Sequence, residues 1–359
     1  RMYAATQNAR TQEALNGGSG QDNFRHQSAG FRIDSYRKDG SHWDASGDFY
    51  SVRANVLSML EMPGMVFPNP DRETHDGATL RTRFETLLAD GSNLQFQGAY
   101  AHSNISIGST ATDQRDTVDL DAQHRFKWGD RHEIVWGGDY RLTDDTMPIK
   151  QLLIMDQVSR RTVSYGLFGQ DEIKLTDNWR LTLGLRADHN EFTGWEIQPD
   201  ARFAWNLAHN HTLWGSLSKV ARAPSRGDHG RSSEFVSGSY DLGYPYGTVP
   251  VVVHPYSQGD TSAELKAAQL GWRSQWIPTF STDIVAFAHQ YDGLPAYGTL
   301  TYSTAHAPAY VDAYIPVVAT GSMKIHGLEL SSEWRFAPKW RMQLAHTWRA
   351  VPASDLVDA

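Results

Sequence analysis

The stretch Trp179-Arg180-Leu181-Thr182-Leu183-Gly184-Leu185-Arg186-Ala187-Asp188 decides the fold class. Successive strand residues point to opposite sides, so Trp179, Leu181, Leu183, Leu185 and Ala187 share one face. Arg180, Thr182, Gly184, Arg186 and Asp188 share the other. Val118 to Phe126 reads the same way: Val118, Leu120, Ala122, His124 and Phe126 stand against Asp119, Asp121, Gln123 and Arg125. In Arg131 to Arg141, Ile134, Trp136 and Tyr140 oppose Glu133, Asp139 and Arg141. Such runs, broken by turn residues, are the dominant signal along the chain and make it all-β.

A soluble sandwich alternates too, and connection lengths separate the two architectures. Short turns fall at 39–41, 89–92, 128–130, 176–178, 207–210, 277–279 and 337–339. Longer, irregular stretches fall between them, at 8–27, 54–75, 104–115, 142–157, 191–196, 223–260 and 293–317. Strict alternation puts the short turns at one end of the sheet and the long loops at the other. Outer-membrane barrels have this layout, whereas Greek-key sandwiches have no reason to sort loops by length. Trp43, Phe126, Trp128, Trp179, Trp205, Trp214, Trp276, Phe280, Trp334, Phe336 and Trp340 lie near the short turns, as an interfacial aromatic girdle would. The expected fold is a transmembrane antiparallel β-barrel with roughly 15 strands, of the large type that has about 22.

Composition agrees. The chain has 359 residues, of which 40% are hydrophobic and 21% charged, and is not of disordered type. No run approaches the ~18 apolar residues of a membrane helix. A net charge of −8 argues against a nucleic-acid binder, and the absence of Cys excludes thiol catalysis and Cys-ligated zinc. Arg1-Met2-Tyr3 already reads as strand, with no signal peptide before it.

Several segments resemble the barrel of TonB-dependent outer-membrane receptors. Ala29-Gly30-Phe31-Arg32-Ile33-Asp34 with Ala45-Ser46-Gly47-Asp48-Phe49-Tyr50 is similar to an early hairpin of one subgroup. Tyr165-Gly166-Leu167-Phe168-Gly169-Gln170-Asp171-Glu172 resembles a family strand. The strongest likeness is Pro199 to Trp205 with His211 to Arg226, and Glu264 to Arg273 and Ile325 to Leu330 resemble later strands. The resemblance implies energy-coupled uptake of a metal chelate, most naturally a ferric siderophore, across the outer membrane of a Gram-negative bacterium. It also implies an N-terminal plug and a segment that contacts TonB, neither of which has a counterpart in 1–359. The expectation is therefore a single barrel domain over 1–359, with the plug and the last strands outside it. Vitamin B12 or a glycan are alternative cargoes. A passive porin-like barrel and a soluble all-β binding protein are alternative readings.

No catalytic constellation, cofactor site or metal site is indicated. His209-Asn210-His211 lies in a short turn, and Asp119 and Asp121 alternate on a strand rather than ringing a calcium loop. Gly17-Gly18-Ser19-Gly20 lacks the Lys of a phosphate loop. Arg81, Arg83, Glu85, Glu133, Arg141, Arg180, Arg186, Asp200, Arg202, Glu329 and Glu333 are expected to point inward, available to a plug. Ligand contact is expected from the longest loops: Arg226, His229, Arg231, Tyr240, Tyr244, Tyr246, His254 and Tyr256 in one, and Tyr297 and Tyr302 with Tyr310 and Tyr314 in the other. Tyrosine offers rigid contact area with a polar tip, and arginine pairs with anionic groups. The 54–75 stretch, with Met59, Met62, Met65 and Phe67, suits adaptable apolar contacts.

Overall fold

A computed structural model describes residues 1–11, 20, 22–62, 65–108, 110–150, 154–259 and 261–352, without the side chains of 58–62 and 65–68. The Gly17–Ser19 connection and the Met59–Phe67 side chains therefore lie outside the described residues. In chain order the elements are β1 (Met2–Ala9), β2 (Phe24–Tyr36), β3 (His42–Met62), β4 (Met65–Leu87), β5 (Asn93–Ile107), β6 (Ala111–Trp128) and β7 (His132–Thr146). There follow β8 (Ile154–Met155), β9 (Ser159–Lys174), β10 (Trp179–Asn190), β11 (Gly194–Ala208) and β12 (His211–Arg222). Next come α1 (Arg226–Gly230), β13 (Arg231–Ser232), β14 (Phe235–Asp241) and β15 (Thr248–Ser257). The last are β16 (Ala263–Ile277), β17 (Phe280–Tyr297), β18 (Thr301–Ser303), β19 (Val311–Ala337) and β20 (Trp340–Ala350).

Fifteen strands, β1–β7, β9–β12, β16, β17, β19 and β20, pair in sequence as one antiparallel meander, the number expected. All seven short turns fall where the turn residues placed them. Two repeat one device. Asp39 accepts bonds from the Ser41 N–H (2.9 Å) and hydroxyl (2.7 Å), and Asp90 does the same for Ser92 (2.9 and 2.6 Å). Gly40 and Gly91 between them take φ of 84° and 79°, which an L side chain resists.

The faces segregate as the alternation requires. Leu183 and Leu185 are exposed on the apolar face, with Leu120, Trp136, Leu167, Leu217, Leu270 and Leu328 on neighbouring strands. The charged face pairs within itself. Arg186 reaches Asp139 and Asp188 (both 2.6 Å), Arg141 reaches Asp119 (2.5 Å), and Arg180 reaches Glu172 (2.8 Å). Arg125 pairs with Glu133 across the β6–β7 ladder. Aromatics gather at the short-turn end. Trp179 stacks on Trp205 at 4.7 Å, Trp272 meets Trp276 at 5.3 Å, and Trp334 meets Phe336 at 5.4 Å.

Three expectations are corrected. Trp214 is not in the aromatic ring: its register partner Ala204 is also that of Arg180, so its indole lies on the charged face, over Gly271. Residues 54–75 are not a loop, because β3 and β4 stay paired up to Met62 opposite Met65. Pro68 and Pro70 are tolerated there because β5 joins β4 only from Glu73, leaving that side of β4 unpaired. Residues 104–115 are likewise mostly strand, with a brief connection between Ile107 and Ala111, and 191–196 are half strand, since β11 begins at Gly194.

The wall has no apolar core of its own, since one face is apolar and exposed and the other polar. Among the described residues the buried hydrophobics are Met147, Met155, Val249, Val251, Val252, Val253, Val311 and Ala313, all at the long-loop end. There β15 pairs in parallel with the start of β19, Val251 opposite Val311 and Val253 opposite Ala313, with Phe235 and Ile315 packed against them. The two longest connections thus form one small packed unit standing on the wall.

Candidate functional site at the long-loop mouth

After Arg222 the chain leaves the wall and turns into α1. Ser225 caps it: its hydroxyl accepts from the Asp228 N–H (3.2 Å), and Asp228 accepts from the Ser225 N–H (2.9 Å). Arg222 adds a 2.8 Å bond to Asp228. Burial pushes the Asp228 carboxyl up, but the Ser225 bonds and the positive charge of Arg222 and Arg231 hold it below its ordinary value of 3.8.

The cap aims Arg226 back into the wall. Its side chain is 5% exposed and forms an ion pair with Asp145 of β7, which is 3% exposed. Burial lowers the basicity of this guanidinium, while Asp113 nearby raises it. His229 packs against the Phe192 ring (4.6 Å) in the β10–β11 turn, and Arg160 lies over the same ring at 4.7 Å. Arg231 is exposed and borders two cavities. One, of about 340 Å³, has Arg222, Asp228, Thr261 and Tyr297 in its wall. The other, of about 510 Å³, has Asp113, Arg115, Arg141, Asn190 and Arg226. Arg141, Ser164, Asn190 and Ala223 also line a third cavity of about 660 Å³, which descends the charged wall to Asp119, Asp121 and Arg186. Shared lining residues therefore link the mouth cavities to the charged inner face.

The remaining candidates sit in the packed unit. His254 bonds through Nε2 to Asp312 (2.7 Å) and stacks on Tyr314 at 4.8 Å, and His306 bonds to the other Asp312 oxygen at 2.7 Å. Burial raises the Asp312 carboxyl, but the two histidine bonds outweigh it and hold the group below 3.8. Tyr240 meets Tyr302 at 5.5 Å between β14 and β18. Tyr256 is half-buried opposite Ser232 and Pro316. Tyr244 and Tyr246 stand exposed on the turn between β14 and β15.

The structure thus brings Arg226, Arg231 and Tyr297 to the cavities, and holds His229 against Phe192 beside them. It places Tyr240, Tyr302 and His254 together in the loop unit, with Tyr244 and Tyr246 at its tip. Asp113, Arg115, Arg141 and Asn190 complete the cavities and were not singled out as mouth residues. Their signal was faint: they are charged-face positions at the loop ends of β6, β7 and β10. Among the described residues no cluster of three or more His, Asp or Glu could hold a metal ion.

The family described as TonB dependent receptor-like, beta-barrel, matches residues 4–357. No curated protein sequence matches. Solved structures with the same fold include the ferric enterobactin receptor PfeA, at 14% identity and TM-score 0.71, covering 92% of this chain and 53% of that one. The siderophore receptor PirA from Acinetobacter baumannii aligns at 15% identity and TM-score 0.67, with the same 92% and 53% coverage. The copper transporter OprC aligns at 12% identity and TM-score 0.64, covering 99% of this chain and 57% of its own. The chain spans about half the length of these structures. With a match along almost all of its length, the chain belongs to the TonB-dependent receptor-like β-barrel family.

Proposed function

We propose that residues 1–359 act as one domain, the wall and mouth of an outer-membrane receptor for energy-coupled uptake of a metal chelate, with a ferric siderophore as the cargo class. The apolar face meets lipid, and the long-loop end faces outward. The observation that carries the reading is a run of adjoining cavities: they bear Tyr297, Arg231, Arg115 and Arg141 and share lining residues from the mouth to the ion-paired inner wall. Arginine at the entrance suits an anionic chelate, and tyrosine suits its aromatic parts. The family's plug, engaged by TonB, would gate these cavities. No bond chemistry is assigned to the chain.

One observation favours a passive barrel. The inner charges are matched across strands, so the wall does not require a plug to satisfy them. Uptake of labelled ferric siderophores under iron limitation decides between the two. Uptake that needs the gene and stops when TonB is deleted supports the receptor. Uptake that persists without TonB supports the passive barrel. An unchanged rate for every iron chelate in cells lacking the gene removes the siderophore reading.

A further inference from the structure

The apolar band has two borders. The border at the short-turn end is aromatic along the sheet, from Trp179 and Trp205 to Trp276 and Trp334. At the long-loop end the border changes character. On β9–β11 it is a cluster of Tyr165, His189 and Trp195, with ring spacings of 4.8, 5.6 and 5.3 Å. On β12, β16 and β19 it is lysine. Trp179 and His189 of β10, Lys266 and Trp276 of β16, and Lys324 and Trp334 of β19 are each ten positions apart. At ~3.3 Å per residue and a tilt of ~40°, each interval is about 25 Å, the height of a membrane-spanning apolar band. The lysines therefore stand at the level that aromatics mark elsewhere.

The lysines form one row. Lys219 is opposite Lys266, Lys266 opposite Gln290, and Gln290 opposite Lys324. Adjacent strands are ~4.8 Å apart, so the row spans about 15 Å. Lys219 touches Glu264 (2.5 Å) and Lys266 touches Asp292 (3.4 Å). The row thus carries three lysines beside two carboxylates, Glu264 and Asp292, the second of which also feels Lys324. Directly beneath, small side chains at Ala268 and Ala288, between Leu217 and His326, with Ala201 on the other side of Leu217, leave a shallow groove of about 910 Å³ with the lysines on its rim.

An ammonium row above an apolar groove matches a molecule with phosphate at one end and hydrocarbon at the other. We propose that this is a binding site for a phosphorylated acyl lipid of the surrounding bilayer, its phosphate on Lys219, Lys266 and Lys324 and an acyl chain in the groove. The inference rests on the outer-membrane reading. An aromatic border serves the same level on β9–β11, so the interface alone does not account for lysine here.

The test is native mass spectrometry of the full-length protein in detergent, titrated with a diphosphorylated acylated disaccharide or its phosphate-free counterpart. Two variants separate head from chain: K219Q/K266Q/K324Q removes the charges, and Ala288→Trp fills the groove. Heat-modifiable gel migration reports whether each has folded, with the single variant Lys324→Gln replacing the triple if it has not. The parent should retain the phosphorylated lipid on the order of tenfold better than either variant and better than it retains the phosphate-free lipid. Inorganic phosphate should not displace it. Equal retention of the two lipids, retention unchanged by loss of the lysines, or displacement by inorganic phosphate would overturn the site. Failure of the outer-membrane reading would show separately, as absence of the protein from the outer-membrane fraction.

Discussion

Arg226 and Asp145 illustrate what one buried pair does at the mouth. Neither side chain is more than 5% exposed, so each charge depends on the other for solvation. Asp145→Asn should leave the guanidinium stranded and destabilise the loop end by about 3–5 kcal/mol, whereas replacing both residues with apolar ones of similar size should cost much less. Hydrogen exchange over 225–232 reads this directly, and equal protection in the parent and Asp145→Asn would show that the pair is not what anchors α1. Gly271 is a second such position. An added Cβ would lie 2.2 Å from the Trp214 indole, so Gly271→Leu should expel that ring from the wall and red-shift its fluorescence. An unchanged spectrum would mean that Trp214 does not rest there. Neither role was legible beforehand: Arg226 read as a loop cation and Trp214 as one of several tryptophans near turns. Both depend on which partner a long-range register supplies.

At the scale of elements, the turns and the apolar part of each strand were legible, and the strand ends toward the loops were not. The reason is physical. Period-two alternation exists only where one face meets an apolar medium and the other does not. Beyond that band β4 reads Asn69-Pro70-Asp71-Arg72-Glu73-Thr74-His75-Asp76, polar on both faces, yet it pairs with β3 throughout. The loop unit adds carboxylate contacts to its apolar packing. Asp228 and Asp312 are both held below 3.8 when folded. A depressed carboxylate contributes stability that is fully present above its ordinary value and is lost as pH falls through the folded value. Amide protection of α1 and of the β15–β19 pair should thus stay level from neutrality to about pH 5 and fall below about pH 4. Loss beginning well above pH 5 would show that these two carboxylates do not carry the linkage.

For the whole molecule, the buried apolar core and the apolar exposed face are in different places. Val251, Val253 and Ala313 pack in the loop unit, whereas Leu185, Leu217, Leu270 and Leu328 lie exposed on the wall. A water-soluble protein would hold the second group inside, and a membrane wall turns it outward. This division follows from alternation together with sorted connections, which is why the architecture could be read at residues 179–188 while the mouth could not. It also sets the orientation on which the proposed uptake depends. The chain contains no cysteine, so single cysteines can report it without interference. The decisive measurement is labelling of intact cells with a membrane-impermeant maleimide, using Tyr244→Cys at the loop tip and Asp177→Cys in a short turn. Tyr244→Cys should label at once and Asp177→Cys only after the outer membrane is permeabilised. Equal labelling of the two in intact cells, or the reverse order, would contradict a wall that spans the outer membrane with its loops outward.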